Sequence, residues 1–318
     1  MKNSFEPLVS VCCITYNHEK FIRDALEGFL MQKTDFPIEI LVHDDASTDG
    51  TPSILREYQE KHPDLFRIIY QAENQYSKGR KPSAILLPMA KGKYIALCEG
   101  DDYWTDPLKL QKQVDFLESH PDHAGCFHKS LRLYQETGNI EVWNPRTQVI
   151  KDSYSLEDLI PSNFFATASL MFLKKSILPL PEWFSETSVG DWPLVIYAVQ
   201  HGNIGFINEV MSVYRIHGGG AWSGAEKERR QHMVLDTIDI VGKHLGPKYA
   251  RQIKRKKASR TLDLANMSYE FGEIDDAKKC LKRSINLWFF GSKMITIDRI
   301  ALLGKIYFPT AYKKFVKK

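Results

Sequence analysis

The sequence predicts an α/β fold: a Rossmann-like, mixed but mostly parallel sheet with helices on both faces, followed by a helical C-terminal extension. Three observations predict it. Short apolar runs alternate with helical periodicity from Leu8 to Ser119, the cadence of βαβ units. Acidic or polar loops follow the first, second and fourth apolar runs, at the sheet edge where open α/β folds bind ligands. After Gly224 the composition shifts to long, charged, amphipathic stretches. The expected division is residues 1–224 and 225–318.

Leu8–Ile14 is a continuous apolar run, as expected of a strand buried on both faces. Asn17 reads as the N-cap of a helix whose apolar face is Phe21, Ile22, Ala25, Leu26, Phe29 and Leu30. Ile38–Val42 is the second strand and ends in the dense turn signal His43 to Gly50. Thr51 and Pro52 start the next helix. Phe66–Tyr70, a helix around Ser83 to Met89, the strand Tyr94–Cys98 and a helix over Pro107–Ser119 complete the repeating part.

Beyond it, strands are expected over 124–134, 167–173, 205–207 and 211–216, with a helix from Asp191 to Val199. A polar hairpin region runs through Gly138 and Asn144-Pro145, and a glycine-rich loop spans His217 to Gly224. In the extension, Tyr269 to Asn286 resembles one tetratricopeptide-type helical hairpin, which must pack on neighbours to bury its face.

The most informative stretch is Lys93–Pro107. Its strand stops at Glu99-Gly100-Asp101-Asp102. Carboxylates crowded at the end of a buried strand repel one another and lose solvation. A hard divalent cation, Mg²⁺ or Mn²⁺, makes such a cluster tolerable and leaves positions open for phosphates. Gly100 lets the backbone come close to whatever binds. A plain strand-to-helix loop accounts for Asp106-Pro107 but not for the three carboxylates together.

The chain has 318 residues, 43% hydrophobic and 26% charged, with a net charge of +4. That excess is too small to argue for nucleic acid as a partner. The cysteines (Cys12, Cys13, Cys98, Cys126, Cys280) are odd in number, and three fall in expected buried strands. They read as reduced core residues, not a disulfide framework or zinc site. Residues 1–7 carry no signal-peptide apolar region, and no apolar run is long enough to span a bilayer. The expected location is cytoplasmic. Peripheral contact at the inner membrane face, through an apolar and basic tail ending in Lys313, Lys314, Lys317 and Lys318, would suit a lipid-linked acceptor.

Five pieces resemble the family 2 inverting glycosyltransferases of GT-A fold. They are Val9-Ser10-Val11 through Thr15-Tyr16-Asn17, Val42 through Thr51, and Gly92-Lys93-Tyr94 through Asp102. Gly190-Asp191-Trp192 and Tyr214-Arg215-Ile216-His217 complete the set. The resemblance covers about Leu8 to Ser223 and is absent from the helical extension. It implies a nucleoside-diphospho-sugar donor, with UDP as the expected carrier. Thr15, Tyr16 and Asn17 would hold the nucleoside, the Tyr16 ring by stacking. Asp45 would accept a hydrogen bond from the base, and Asp101 would contact the ribose. Asp102 would be the direct ligand of Mn²⁺ or Mg²⁺; Glu99 would face either the metal or a basic neighbour, and His217 either the metal or the diphosphate. Arg80, with Lys78 and Arg215, would face the diphosphate. Trp192 would face the carbohydrate or lipid-linked saccharide acceptor. Two positions depart from the family pattern: Glu99 stands where Asp is more frequent, and His43 where an apolar residue is common.

Inversion requires a single in-line attack by an acceptor hydroxyl, and a base to take its proton. Asp191 matches the family's base position. As the residue opening a helix it would also serve as an N-cap. The expected role is synthesis of a surface polysaccharide or glycoconjugate. Two alternatives stand beside it. A nucleotidylyltransferase would want a glycine-rich, basic loop after the first strand, and Thr15-Tyr16-Asn17-His18 is not one. A non-catalytic module acting through its helical extension would have no need of Asp101, Asp102 and Asp191 together.

Overall fold

The computed structural model describes residues 6–143, 150–161, 163–220, 222, 224, 226–289, 296–310 and 312. Asn144-Pro145 and the terminal lysines 313, 314, 317 and 318 lie outside them. Among the described residues, ten strands form one mixed sheet: β1 (Val9–Thr15), β2 (Ile38–Asp44), β3 (Phe66–Tyr70), β4 (Tyr94–Glu99), β5 (Tyr103–Trp104), β6 (His123–Tyr134), β7 (Ile140–Trp143), β8 (Ser153–Tyr154), β9 (Met171–Leu173) and β10 (Asn203–Ile216). The order is β3-β2-β1-β4-β9-β6-β10-β5, with β7 on β6 and β8 on β10.

The pairings among β3, β2, β1 and β4 are all parallel, and β6–β10 is parallel too. The short β9 is antiparallel to both β4 and β6 and joins the two parallel groups. β1 and β4 are buried along nearly their whole length, which requires cover on both faces. That cover includes α1 (Ile22–Leu30), α2 (Thr51–Lys61), α3 (Pro82–Leu86) and α4 (Lys109–Ser119). Val11, Leu26, Phe29, Ile40, Tyr94 and Trp104 belong to one continuous core. The later helices of this part are α5 (Leu156–Leu159), α6 (Lys174–Ile177) and α7 (Asp191–Ala198).

Several expectations are corrected locally. Asn17 does not cap α1; it lies at φ 55°, and its side-chain oxygen accepts the Thr48 N–H at 2.8 Å. It clips two loops together instead. Thr51 lies inside α2, with Gly50 at the cap position. The expected strand 167–173 opens as a 3₁₀ turn and pairs only over Met171–Leu173. The two expected strands 205–207 and 211–216 are one strand, β10, whose register shifts between Ile207 and Val210. A bulge there absorbs the polar Asn208-Glu209 without ending the ladder. His43 is a core histidine, fully buried on β2, with Gln71 Nε2 3.1 Å from its Nε2. Burial lowers its pKa.

The chain divides into two compact units. The first holds the sheet. The second gathers residues 225–318 with the short segments 160–162 and 186–189. It contains α8 (Lys227–Leu245), α9 (Ala250–Glu270), α10 (Ile274–Phe289) and α11 (Ile297–Tyr307). α9 and α10 form a helical hairpin turning at Gly272, φ 81°. Leu262, Ala265, Leu281 and Leu302 make the small core of this unit.

Candidate active site

The carboxyl ends of β1, β2 and β4 come together because their register is tight. Thr15 pairs with Asp44, and Ile14 with Glu99. Gly100 makes the approach of the β4 loop to β1 sterically possible: a Cβ there would sit 2.7 Å from Thr15 Oγ1. On the β1–β2 side, Thr15 is buried with no hydrogen-bond partner for Oγ1. Tyr16 is 44% exposed, so its ring is available for stacking. The buried Asp45 carboxylate accepts the backbone N–H groups of Gln75 at 2.8 Å and Tyr76 at 3.0 Å. It therefore also anchors the loop that carries the exposed Arg80. Lys78 in the same loop is paired with Glu73.

The acidic cluster is held by an element distant in sequence. The Arg215 backbone N–H donates to Asp102 Oδ1 at 2.9 Å, and Arg215 Nη1 donates to the Asp101 carbonyl at 3.1 Å. The same guanidinium pairs with Asp24 on α1 and lies 4.5 Å from the Tyr103 ring centroid. Arg215 is thus engaged in bracing the acidic loop rather than presented to a diphosphate. Asp102 is fully buried, and its Oδ2 has no partner. Burial, then the Asp101 and Glu99 charges, push its carboxyl well up. Glu99 is raised to about 8, first by burial and then by Asp101 and Asp191. Burial also works against the ionised Asp101. The hydrogen bond from His217 Nε2 at 3.1 Å, with the nearby His18, outweighs it and holds Asp101 below its usual range. His217 faces Asp101 rather than Asp102.

No set of three His, Cys, Asp or Glu side chains is preassembled around an ion among the described residues. The donor chemistry nonetheless fits a hard cation. The groups are carboxylates, one of their oxygens is buried and unsatisfied, and two of them hold protons more tightly than free carboxyls.

Asp191 is the first residue of α7, after Gly190 at the cap position, and no side chain caps this helix. Its carboxylate is therefore not consumed by backbone donors. Asn163 Nδ2 donates to Asp191 Oδ2 at 2.6 Å. Lys81 lies close by: its Nζ is 4.8 Å from the Phe184 ring centroid and 4.0 Å from where a Gly190 Cβ would be. Burial brings the Lys81 amine down to about 8, against the pull of Asp191. Neither Asn163 nor Lys81 stands out in the sequence as a partner of Asp191. The one signal is position, each in a loop following a strand or helix. Trp192 is 3% exposed and donates its indole N–H to the Leu159 carbonyl at 3.0 Å. It is a core residue and offers no face to an acceptor. Trp104, 2% exposed, likewise donates to Ala168 O.

A mixed, mostly parallel sheet of this order, with carboxylates gathered at the end of β4, defines an α/β protein of GT-A fold. The model of glycosyl transferase family 2 matches residues 10–178, more than half of the chain, and the chain belongs to that family. An uncharacterized protein of Mycobacterium tuberculosis is 37% identical over 231 residues, 70% of this chain and 63% of the relative. The chain thus spans under two thirds of that relative's length. The Escherichia coli UDP-Glc:alpha-D-GlcNAc-diphosphoundecaprenol beta-1,3-glucosyltransferase WfaP is 37% identical over 113 residues, 35% of this chain and 42% of WfaP. Among solved structures, the mannosyltransferase PcManGT of Pyrobaculum calidifontis, in complex with GDP-Man and Mn²⁺, superposes with a TM-score of 0.55. Its identity is 17%, with 99% of this chain and 84% of that chain covered.

Proposed function

We propose that this chain is a metal-dependent, inverting glycosyltransferase that uses a UDP-sugar and acts in assembly of a surface polysaccharide or glycoconjugate. The observation that carries the reading is the buried, unpaired Oδ2 of Asp102 within a group of carboxylates. Asp102 and Glu99 are the proposed ligands of Mn²⁺ or Mg²⁺. His217 keeps Asp101 ionised and oriented toward the ribose. When bound, the cation supplies charge neutralisation for the leaving diphosphate.

This chain's own residues account for the rest. Thr15, Tyr16 and Asn17 bind the nucleoside, with the Tyr16 ring on the base. Asp45 shapes the base pocket, and Arg80 is the cation at its rim. Asp191 takes the proton of the acceptor hydroxyl, while Asn163 fixes one carboxylate oxygen and leaves Oδ1 for that proton. A metal-linked donor suits the GDP-Man and Mn²⁺ named for the Pyrobaculum structure, and a UDP-sugar and lipid-linked acceptor suit the name of the Escherichia coli relative. No described helix is long and apolar enough to cross a membrane; a lipid-linked acceptor would be met by peripheral contact through the basic tail.

The test is Asp191→Asn. A base is worth about 10²–10⁴-fold in rate, so turnover of UDP-sugar with acceptor drops by that range. Stabilisation of the folded protein by UDP with Mn²⁺ stays intact. Undiminished turnover would remove Asp191 from the mechanism.

A further inference from the structure

Resting on the glycosyl-transfer reading, we propose that Trp143 and Tyr214, braced by Arg132, form the subsite that binds the acceptor saccharide. Trp143 ends β7 and is half-buried. The Arg132 guanidinium lies over its indole, 4.1 Å from the ring centroid, and pairs with Glu141 at 3.2 Å. The Tyr214 ring lies 5.3 Å from Trp143, tilted by 55°. Tyr214 is directly across from Arg132 in the β10–β6 register. Two aromatic rings are thus held at a tilt beside a cation whose carboxylate partner is on the neighbouring strand.

The other end of this pair adjoins the acidic cluster: Tyr214 precedes Arg215 on β10, and the Arg215 N–H donates to Asp102 Oδ1 at 2.9 Å. The Tyr214 phenol is pushed well up, first by burial and then by Asp102, Glu99, Asp101 and Asp191 together. The pair therefore runs from a partly exposed indole to the strand position next to Arg215, whose backbone N–H holds Asp102 Oδ1. Rigid aromatic rings with one polar tip are what a saccharide site needs: apolar faces for the ring C–H groups, and a donor for one hydroxyl.

Strand order gives the direction. Thr15, Tyr16 and Asp45 follow β1 and β2, on one side of the acidic end of β4. β6, β7 and β10 are on its other side. In-line displacement brings the nucleophile in opposite the leaving diphosphate, hence from the β6–β10 side. Trp192 stands in sequence beside the proposed base but is buried; Trp143, far from it in sequence, is on the correct side and partly open.

The test uses the full chain with Mn²⁺, a donor panel (UDP-glucose, UDP-galactose, UDP-N-acetylglucosamine, GDP-mannose) and p-nitrophenyl glycosides of the common hexoses as acceptor probes. Disaccharide products are read by mass spectrometry, and donor binding by nucleotide-dependent thermal stabilisation. Trp143→Ala raises the KM for the best glycoside by about tenfold or more, the scale of a lost aromatic contact. Trp143→Phe recovers most of it, Tyr214→Phe weakens acceptor use, and nucleotide stabilisation is unchanged in all three. An unchanged acceptor KM in Trp143→Ala overturns the proposal. So does a wild-type protein that binds donor but transfers to none of the glycosides. A wild type stabilised by no nucleotide would overturn the transfer reading itself.

Discussion

Lys109 shows how much a single buried side chain can reveal. It is fully buried, donates to Gln113 Oε1 at 2.6 Å and stands 3.9 Å from the Trp104 ring centroid. Burial pulls its amine down to about 7, with Cys98 and Cys126 opposing. The unfolded chain keeps that proton to a much higher pH, so it binds more protons than the folded one above pH 7. Stability must then rise with pH. The clean window is from pH 7 to about 8.5, below the range in which thiols of the unfolded chain ionise. We expect wild-type stability to climb there by up to ~1.4 kcal/mol per pH unit relative to Lys109→Met, measured by urea unfolding at each pH. Parallel pH profiles for the two proteins would contradict the buried-amine account. Asp102 is the acidic counterpart: burial and the neighbouring carboxylates push its carboxyl well up, and its Oδ2 has no partner.

Among the elements, the parallel core was readable because burial on both faces leaves an uninterrupted apolar run. Leu8–Ile14 and Tyr94–Cys98 correspond to β1 and β4 within a residue or two. What could not be read is set by contacts distant in sequence. Arg215 braces a loop 113 positions away, and Asn163 holds a carboxylate 28 positions away; local pattern carries neither. Asn17 has the chemistry of a cap, yet its left-handed backbone sends it to a neighbouring loop. The acidic end of β4 was legible because its members are adjacent in the chain; the aromatic pair Trp143–Tyr214 was not, because it forms across strands. The closeness of β4 to β1 gives a direct test. A Cβ on Gly92 would sit 2.6 Å from Ser10 N and 2.8 Å from Val9 C, both backbone atoms that cannot swing away. Gly92→Ala should cost about 1–3 kcal/mol and lower Tm by about 2–4 °C per kcal/mol. An unchanged Tm in a thermal melt would show that the strands have room to part.

At the scale of the whole molecule, the helical unit includes a short segment that precedes the proposed base in the chain. Segment 186–189 belongs to that unit and runs directly into Gly190 and Asp191. Within the unit, Thr237 Oγ1 accepts the Ser188 N–H at 3.2 Å. Thr237→Val removes that acceptor while keeping the volume. A hydrogen bond of about 0.5–1.5 kcal/mol is at stake, so kcat should fall several-fold through a less well-placed Asp191. The KM for donor should hold. A donor KM that rises with kcat unchanged would argue that the segment serves binding instead.

The acidic end of β4 is proposed as a joint site for cation and nucleotide. Its most direct measurement is the Tm of the full chain with UDP, GDP, Mn²⁺ and their combinations, in wild type and in Asp102→Asn. We expect UDP to stabilise the wild type strongly only when Mn²⁺ is present, and the combined effect to vanish in the folded Asp102→Asn protein. Equal stabilisation with and without Mn²⁺, or an undiminished effect in Asp102→Asn, would contradict the account.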